Sequence, residues 1–175
     1  MDIYYKVNMS DLEAFQKDTV DTLPYYRKKK IVFSLVYAVI YFLITNLFVE
    51  NNWILKLIGT LFVYFMCYRF AIKYSMIIEV KRLIKKNPDY LEHEHKLTIS
   101  PDGLIREFYG TIQQENWKSI HYANEDEERY FLYISEIKKF LIKKHPHHLN
   151  EAETLEYNNK IRKYLNDAGV NVKEV

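Results

Sequence analysis

The 175-residue sequence has one cysteine, Cys67, and only four glycines and four prolines. A single cysteine permits no intrachain disulfide, and nothing in the cysteine usage points to an oxidising compartment. With glycine confined to Gly59, Gly103, Gly110 and Gly169, there is no glycine-rich phosphate loop. Ser100, Ser119 and Ser135 have neighbours suited to turns and do not form a nucleophile elbow. No paired carboxylates or nucleophile–base spacing stand out, so the expectation is a non-catalytic protein. An excess of one charge is also missing. The net charge of +2 argues against a nucleic-acid partner. The first 30 residues carry acids throughout and have no apolar core, so no cleavable leader is expected.

What is present is grease and aromatics. Hydrophobic residues make up 49% of the chain, and many of its 16 Tyr and 10 Phe fall in or beside the apolar stretches. Residues 31–49 contain no charged side chain, and their polar ones are Ser34, Thr45 and Asn46. As a helix this stretch is about 28 Å long, the hydrocarbon thickness of a bilayer. After Glu50-Asn51-Asn52, a second stretch over residues 53–74 is long enough to span, with Lys56 and Arg69 near its ends. Gly59 is the small residue at which the two helices are expected to approach closely. Cys67 reads as a packing residue, with acylation as the sharper alternative.

Basic residues gather beside these runs. Arg27, Lys28, Lys29 and Lys30 precede the first; Arg69, Lys73, Lys81, Arg82, Lys85 and Lys86 follow the second. From residue 77 onward, 16 Lys and Arg face 17 Asp and Glu, so the basic excess belongs to the flanks of the apolar pair. By the positive-inside rule both termini are expected in the cytoplasm, in a two-span protein of the cell membrane. This basic cluster should also attract anionic lipid of the bilayer.

Around the hairpin the periodicity changes. Residues 2–7 alternate as a strand with Ile3, Tyr5 and Val7 on one face. Ser10 and Glu13 have capping-box spacing for a helix carrying Leu12, Phe15, Thr19, Leu23 and Tyr26, which Pro24 ends or bends. One continuous helix is expected to run on from the second span to about Lys86, with Pro88 marking a boundary. From Leu91 the pattern alternates, placing His93, His95, Leu97 and Ile99 on one face. Pro101-Asp102-Gly103 and Gly110-Thr111 read as turns, and Glu125 to Glu128 as a solvated acidic tip. Strands are further expected over residues 104–109, 112–117, 118–123, 130–134 and 137–142. Asn150 with Glu153 caps a last helix with Ala152, Leu155, Ile161, Leu165 and Ala168 as its stripe, and Gly169 ends it.

The fold class is therefore α+β: a two-helix transmembrane hairpin plus a small antiparallel sheet domain closed by a C-terminal helix. Three regions follow: 1–30, an N-terminal strand and amphipathic helix; 31–90, the hairpin and emerging basic helix; and 91–175, the sheet domain. The histidines are the one set with metal-ligand chemistry. His93 and His95 on a strand, with His145, His147 and His148 beyond, offer imidazoles, but no further cysteine or tellingly spaced carboxylate joins them. The favoured reading places them on a half-buried sheet face and a solvated turn, so no metal, cofactor or catalytic residue is assigned.

The chain resembles the YcxB-like family of bacterial membrane proteins. The likeness lies in the order of parts and in residues 96–107, Trp117-Lys118-Ser119-Ile120 and Tyr130-Phe131-Leu132-Tyr133-Ile134. The resemblance implies a pleckstrin-homology-like (PH-like) C-terminal domain, a bent antiparallel sheet with a helix plugging one end, and transfers no catalytic residues. The expectation is a membrane-anchored interaction module holding a protein partner of unknown identity, or lipid, near the inner leaflet; self-association stays open. Two alternatives remain: a bacteriocin-immunity type of membrane protein, by analogy of design alone, and a metal- or ligand-dependent enzyme.

Overall fold

Alternating apolar residues build the first strand, and its register decides what the rest of the sheet brings together. The computed structural model describes residues 1–48, 52–135 and 138–175. In it the chain divides into two compact units, Met1–Asp18 with Lys81–Val175, and Thr19–Val80, the second interrupting the first in sequence.

In the first unit β1 (Asp2–Lys6) pairs antiparallel with β2 (Glu94–Ser100), putting Ile3 opposite Leu97 and Tyr5 opposite His95. Strands β3 (Gly103–Phe108) and β4 (Thr111–Glu115) complete a four-stranded antiparallel sheet in the order β1-β2-β3-β4. The β3–β4 hairpin turns through Tyr109 and Gly110, both at positive φ, one residue earlier than Gly110-Thr111. Two such residues in a row match the right-handed twist of the flanking strands. A Cβ on Gly103 would collide with the Glu115 carbonyl, so this position closes only with glycine.

A second sheet contains β5 (Tyr122–Glu125), β6 (Arg129–Tyr133) and β7 (Lys139–Lys143). Its order is β7-β6-β5-β8, where β8 (Val172–Glu174) pairs parallel with β5. From residue 91 onward seven strands thus replace the six expected, because the C-terminal segment adds β8, while the expected N-terminal strand joins the first sheet as β1. His93 lies before β2, not in it, since residues Pro88–Leu91 form a 3-10 turn. Trp117–Ser119 is likewise a 3-10 turn, not the start of a strand.

The two sheets share one core. Tyr5 donates a buried hydrogen bond to the Leu141 carbonyl at 2.9 Å. Ile3, Tyr5, Leu97, Leu104, Phe131, Leu132, Phe140 and Ile142 are almost wholly buried, each such side chain contributing about 1.5–3 kcal/mol. Helix α1 (Met9–Thr22) lays Phe15 against this core, its ring stacked 6.0 Å from Phe131. Its cap is Asn8 with Asp11, not Ser10 with Glu13: the Asp11 amide donates to Asn8 Oδ1 at 2.9 Å and the Asn8 amide to Asp11 Oδ2 at 2.8 Å. Glu13 instead pairs with Lys81 at 2.9 Å.

The closing helix α5 (Glu151–Asp167) begins with the expected capping box of Asn150 and Glu153. It ends with Gly169 at φ 79°, where the Val170 amide donates back to the Leu165 carbonyl at 2.9 Å. Its buried face is Tyr157, Ile161 and Leu165, whereas Leu155 is 64% exposed. Tyr157 takes the inner position because its hydroxyl reaches the Lys143 carbonyl at 2.9 Å. Trp117 pins sheet to helix: its Nε1 donates to the Ser100 carbonyl at 2.8 Å and its ring lies 5.4 Å from that of Tyr164.

The second unit carries two helices long and apolar enough to cross a membrane by length and composition, Pro24–Phe48 and Trp53–Lys86, the latter running on into the first unit. Pro24 opens the first of these (α2) one residue beyond the end of α1, as its missing N–H favours. The other runs as α3 (Trp53–Met66), a π-helical turn (Cys67–Ala71) and α4 (Ile72–Lys86). Asn52 caps it, accepting from the Leu55 amide; Val49, Glu50 and Asn51 of the expected link lie outside the described residues.

The two helices run antiparallel. Near one end Lys56 Nζ donates to Asn46 Oδ1 at 3.0 Å; near the other the Tyr26 hydroxyl meets the Met76 sulfur at 4.0 Å. Small Ser34 and Ala38 are the buried residues of α2. As expected, Gly59 lies at a close approach, where a Cβ would stand 2.5 Å from the Tyr41 hydroxyl oxygen.

Candidate functional site

Strands β4 and β7 are edges of their sheets, and a cleft of about 610 Å³ opens between them. Val7, Leu12 and Phe15 close one side of it, and Ile112, Phe140 and Leu141 add apolar wall. Arg106, Lys138, Lys139 and Glu115 are its charged residues. Alternation along β3 places Arg106 on the face of buried Leu104, two residues earlier, which brings a cation to the inner side of the sheet. Its guanidinium sits 4.7 Å from the centroid of the Phe140 ring and donates to Gln113 Oε1 at 2.5 Å. Lys138 is taken up by Glu115 at 3.0 Å, a pair that joins the two edges.

His95 is the unusual residue of the cleft. It is only 2% exposed, stacked between Phe108 at 3.9 Å and Tyr5 at 5.2 Å. Neither ring nitrogen has a hydrogen-bond partner among the described residues, and neither has Nε of Arg106. Burial, reinforced by the nearby Arg106 charge, pushes its pKa down to about 3, so the ring is neutral at physiological pH. Burial also lowers the pKa of Lys139, whose ammonium lies 5.3 Å over the Phe15 ring. Among the described residues no Ser, Thr, Cys or Asp lines the cleft beside His95.

The five histidines with metal-ligand chemistry do not converge. His93 lies against Tyr109, His95 is enclosed, and His145, His147 and His148 are exposed around Pro146. Among the described residues no three His, Cys, Asp or Glu side chains form a set that could hold a metal ion.

The structure does bring part of the basic cluster together. Asp21 accepts from Lys30 at 2.7 Å and also from Lys73, joining the basic ends of the two long apolar helices. Burial disfavours the Asp21 carboxylate, but the two ammonium groups prevail and hold its pKa below the usual range. Lys81 is paired with Glu13. Arg27, Lys28, Lys29, Arg69, Arg82, Lys85 and Lys86 are exposed and have no ion-pair partner among the described residues.

A third polar group is buried in the first unit. Arg129 Nε donates to Asp11 at 2.6 Å, and Lys143 pairs with the other Asp11 oxygen at 3.0 Å. One turn-pair further along α1, Asp18 accepts from Asn124 at 2.8 Å and from the Tyr133 hydroxyl. The acidic run is a solvated tip only in part, at exposed Glu127 and Glu128. Glu125 is buried between Lys144 at 2.7 Å and Arg162 at 2.9 Å, while Asp126 and Glu128 hold Arg129. No protein-family model, curated protein or solved structure matches the chain.

Proposed function

We propose that this chain is a non-catalytic interaction module anchored in the cell membrane by a two-span hairpin. In this reading both termini are cytoplasmic, and the sheet unit is a PH-like domain that holds a protein partner or lipid near the inner leaflet. The observation that carries the proposal is the bareness of the two apolar helices. Only 11% of the most apolar stretch of the first is buried, and none of that of the second. Leaving Leu47, Phe48, Trp53, Leu61, Phe62 and Phe65 in water would cost about 10 kcal/mol or more in aggregate by the area rule, whereas lipid covers them without cost. The core-helix alternative requires protein cover that these helices lack.

The charge pattern supports the orientation. The basic residues gather at the helix ends that Asp21 joins, and Asn46 and Lys56 mark the opposite, sparsely charged end. Each exposed Lys or Arg near an anionic surface contributes about 1 kcal/mol of attraction. The PH-like reading is supported by strand order: four antiparallel strands, then three more, then a closing helix. On this reading the hairpin is an insertion between the first and second strands, so the domain is tethered to the bilayer through both α1 and α4. Tethering raises its effective concentration toward other membrane components without any new contact.

Protease protection in intact cells tests the proposal. With a tag at each terminus, both tags are expected to resist external protease and to become sensitive once the membrane is opened. An externally cleaved C-terminal tag contradicts it.

A further inference from the structure

We propose that the cleft between β4 and β7 binds a small organic carboxylate, its carboxylate taken by Arg106 and its apolar body lying against Phe15 and Phe140. At about 610 Å³ the cleft has the size of a small-molecule site, within the usual range of roughly 300–1,000 Å³. Its make-up also fits, with an apolar wall carrying a few convergent polar groups.

Two of the polar side chains, Arg106 and His95, carry buried nitrogens with no acceptor among the described residues. Arg106 has no ion-pair partner among the described residues, and its Nε has no acceptor. Among the described residues the one carboxylate of the lining, Glu115, is engaged by Lys138. A neutral imidazole carries one N–H whichever tautomer it adopts, and both nitrogens of His95 lack partners. Buried donors left unmade cost free energy, and an entering carboxylate relieves that cost while matching the planar guanidinium fork. The ring of Phe140, already under the guanidinium, continues the apolar wall on which the body of the ligand rests.

The carboxylate has two chemical sources: an acyl chain released from lipid, or a soluble aromatic acid. Octanoate and phenylacetate represent them as probes, with octanol and phenylacetamide as their neutral counterparts and inorganic phosphate as the competing anion. Binding to the purified full chain in a non-ionic detergent is read by ligand-observed NMR and by thermal unfolding. At least one carboxylate is expected to bind saturably in the millimolar range or below, about tenfold more tightly than its neutral counterpart. Arg106→Gln should weaken it about tenfold, and Gln113→Trp, which fills the cleft from an exposed position opposite Arg106, should abolish it. Lys85→Gln, on the far basic helix, should leave it unchanged. Preference for octanoate assigns a lipid-derived ligand, and preference for phenylacetate a soluble one. The proposal is overturned if neither carboxylate binds saturably, if the neutral compounds or phosphate bind as well, or if folded Gln113→Trp protein binds undiminished.

Discussion

Asp11, on the first turn of α1, is fully buried and accepts a hydrogen bond from Arg129 Nε of β6 at 2.6 Å, across 118 residues of chain. This pair fixes the helix that leads into the first apolar run onto the second sheet. Removing the guanidinium strands a carboxylate in the core. Arg129→Gln should cost about 3 kcal/mol, the lower end of the range for a broken buried pair, because Lys143 still faces the other Asp11 oxygen. The double variant Asp11→Asn, Arg129→Gln should recover part of the loss, since no uncompensated charge is left behind. Denaturant unfolding in detergent checks both; equal stability of the two variants would disprove the coupling.

Acid should weaken the fold through His95. Its folded pKa of about 3 lies below the ordinary 6.5, so the unfolded chain binds a proton that the folded chain refuses. The neutral form stabilises the fold fully above pH 6.5, and that stability is lost as pH falls from there toward 3, by up to about 1.4 kcal/mol per pH unit. Arg106 is the charge that faces the ring, with Tyr5 and Phe108 packed on either side. His95→Phe should remove this slope while keeping both stacking contacts. Stability measured between pH 7 and 4 reads the difference, and a wild-type slope retained by the variant would refute it.

The close approach at Gly59 gives a graded prediction. The atom that a new Cβ would meet is the far end of the Tyr41 side chain, which can swing aside. Gly59→Ala should therefore cost under about 1 kcal/mol, and Gly59→Leu, which must move the ring and the facing helix, about 1–3 kcal/mol. Tyr41→Ala should rescue Gly59→Leu. Thermal unfolding in detergent distinguishes these cases, and a leucine tolerated without rescue would mean that the helices are not packed there.

Features governed by local chemistry were legible in the sequence. Alternation placed Ile3, Tyr5, Leu97 and Ile99 inside; Pro24, Asn150 with Glu153, and Gly169 marked helix ends; uncharged length marked the apolar helices. Features that depend on distant partners were not. Asn8-Asp11 and Ser10-Glu13 have the same spacing, and what separates them is Lys81, which takes Glu13 from 68 residues away. Leu155 and Tyr157 fall on nearly opposite sides of α5, and only the Lys143 carbonyl decides which turns inward. Glu125 sits in a run that reads as solvated until Lys144 and Arg162 arrive beside it. In the cleft, the inward register of Arg106 was readable from Leu104, but its meeting with His95 and Phe140 needed three strands to come together.

Alkaline carbonate washing of membranes from cells expressing the full chain tests the central claim most directly. The account predicts that the chain stays in the membrane pellet and is released only by detergent, because most of the apolar stretch of each long helix is left unburied by protein. A chain recovered in the wash, monodisperse in buffer without detergent, would contradict it.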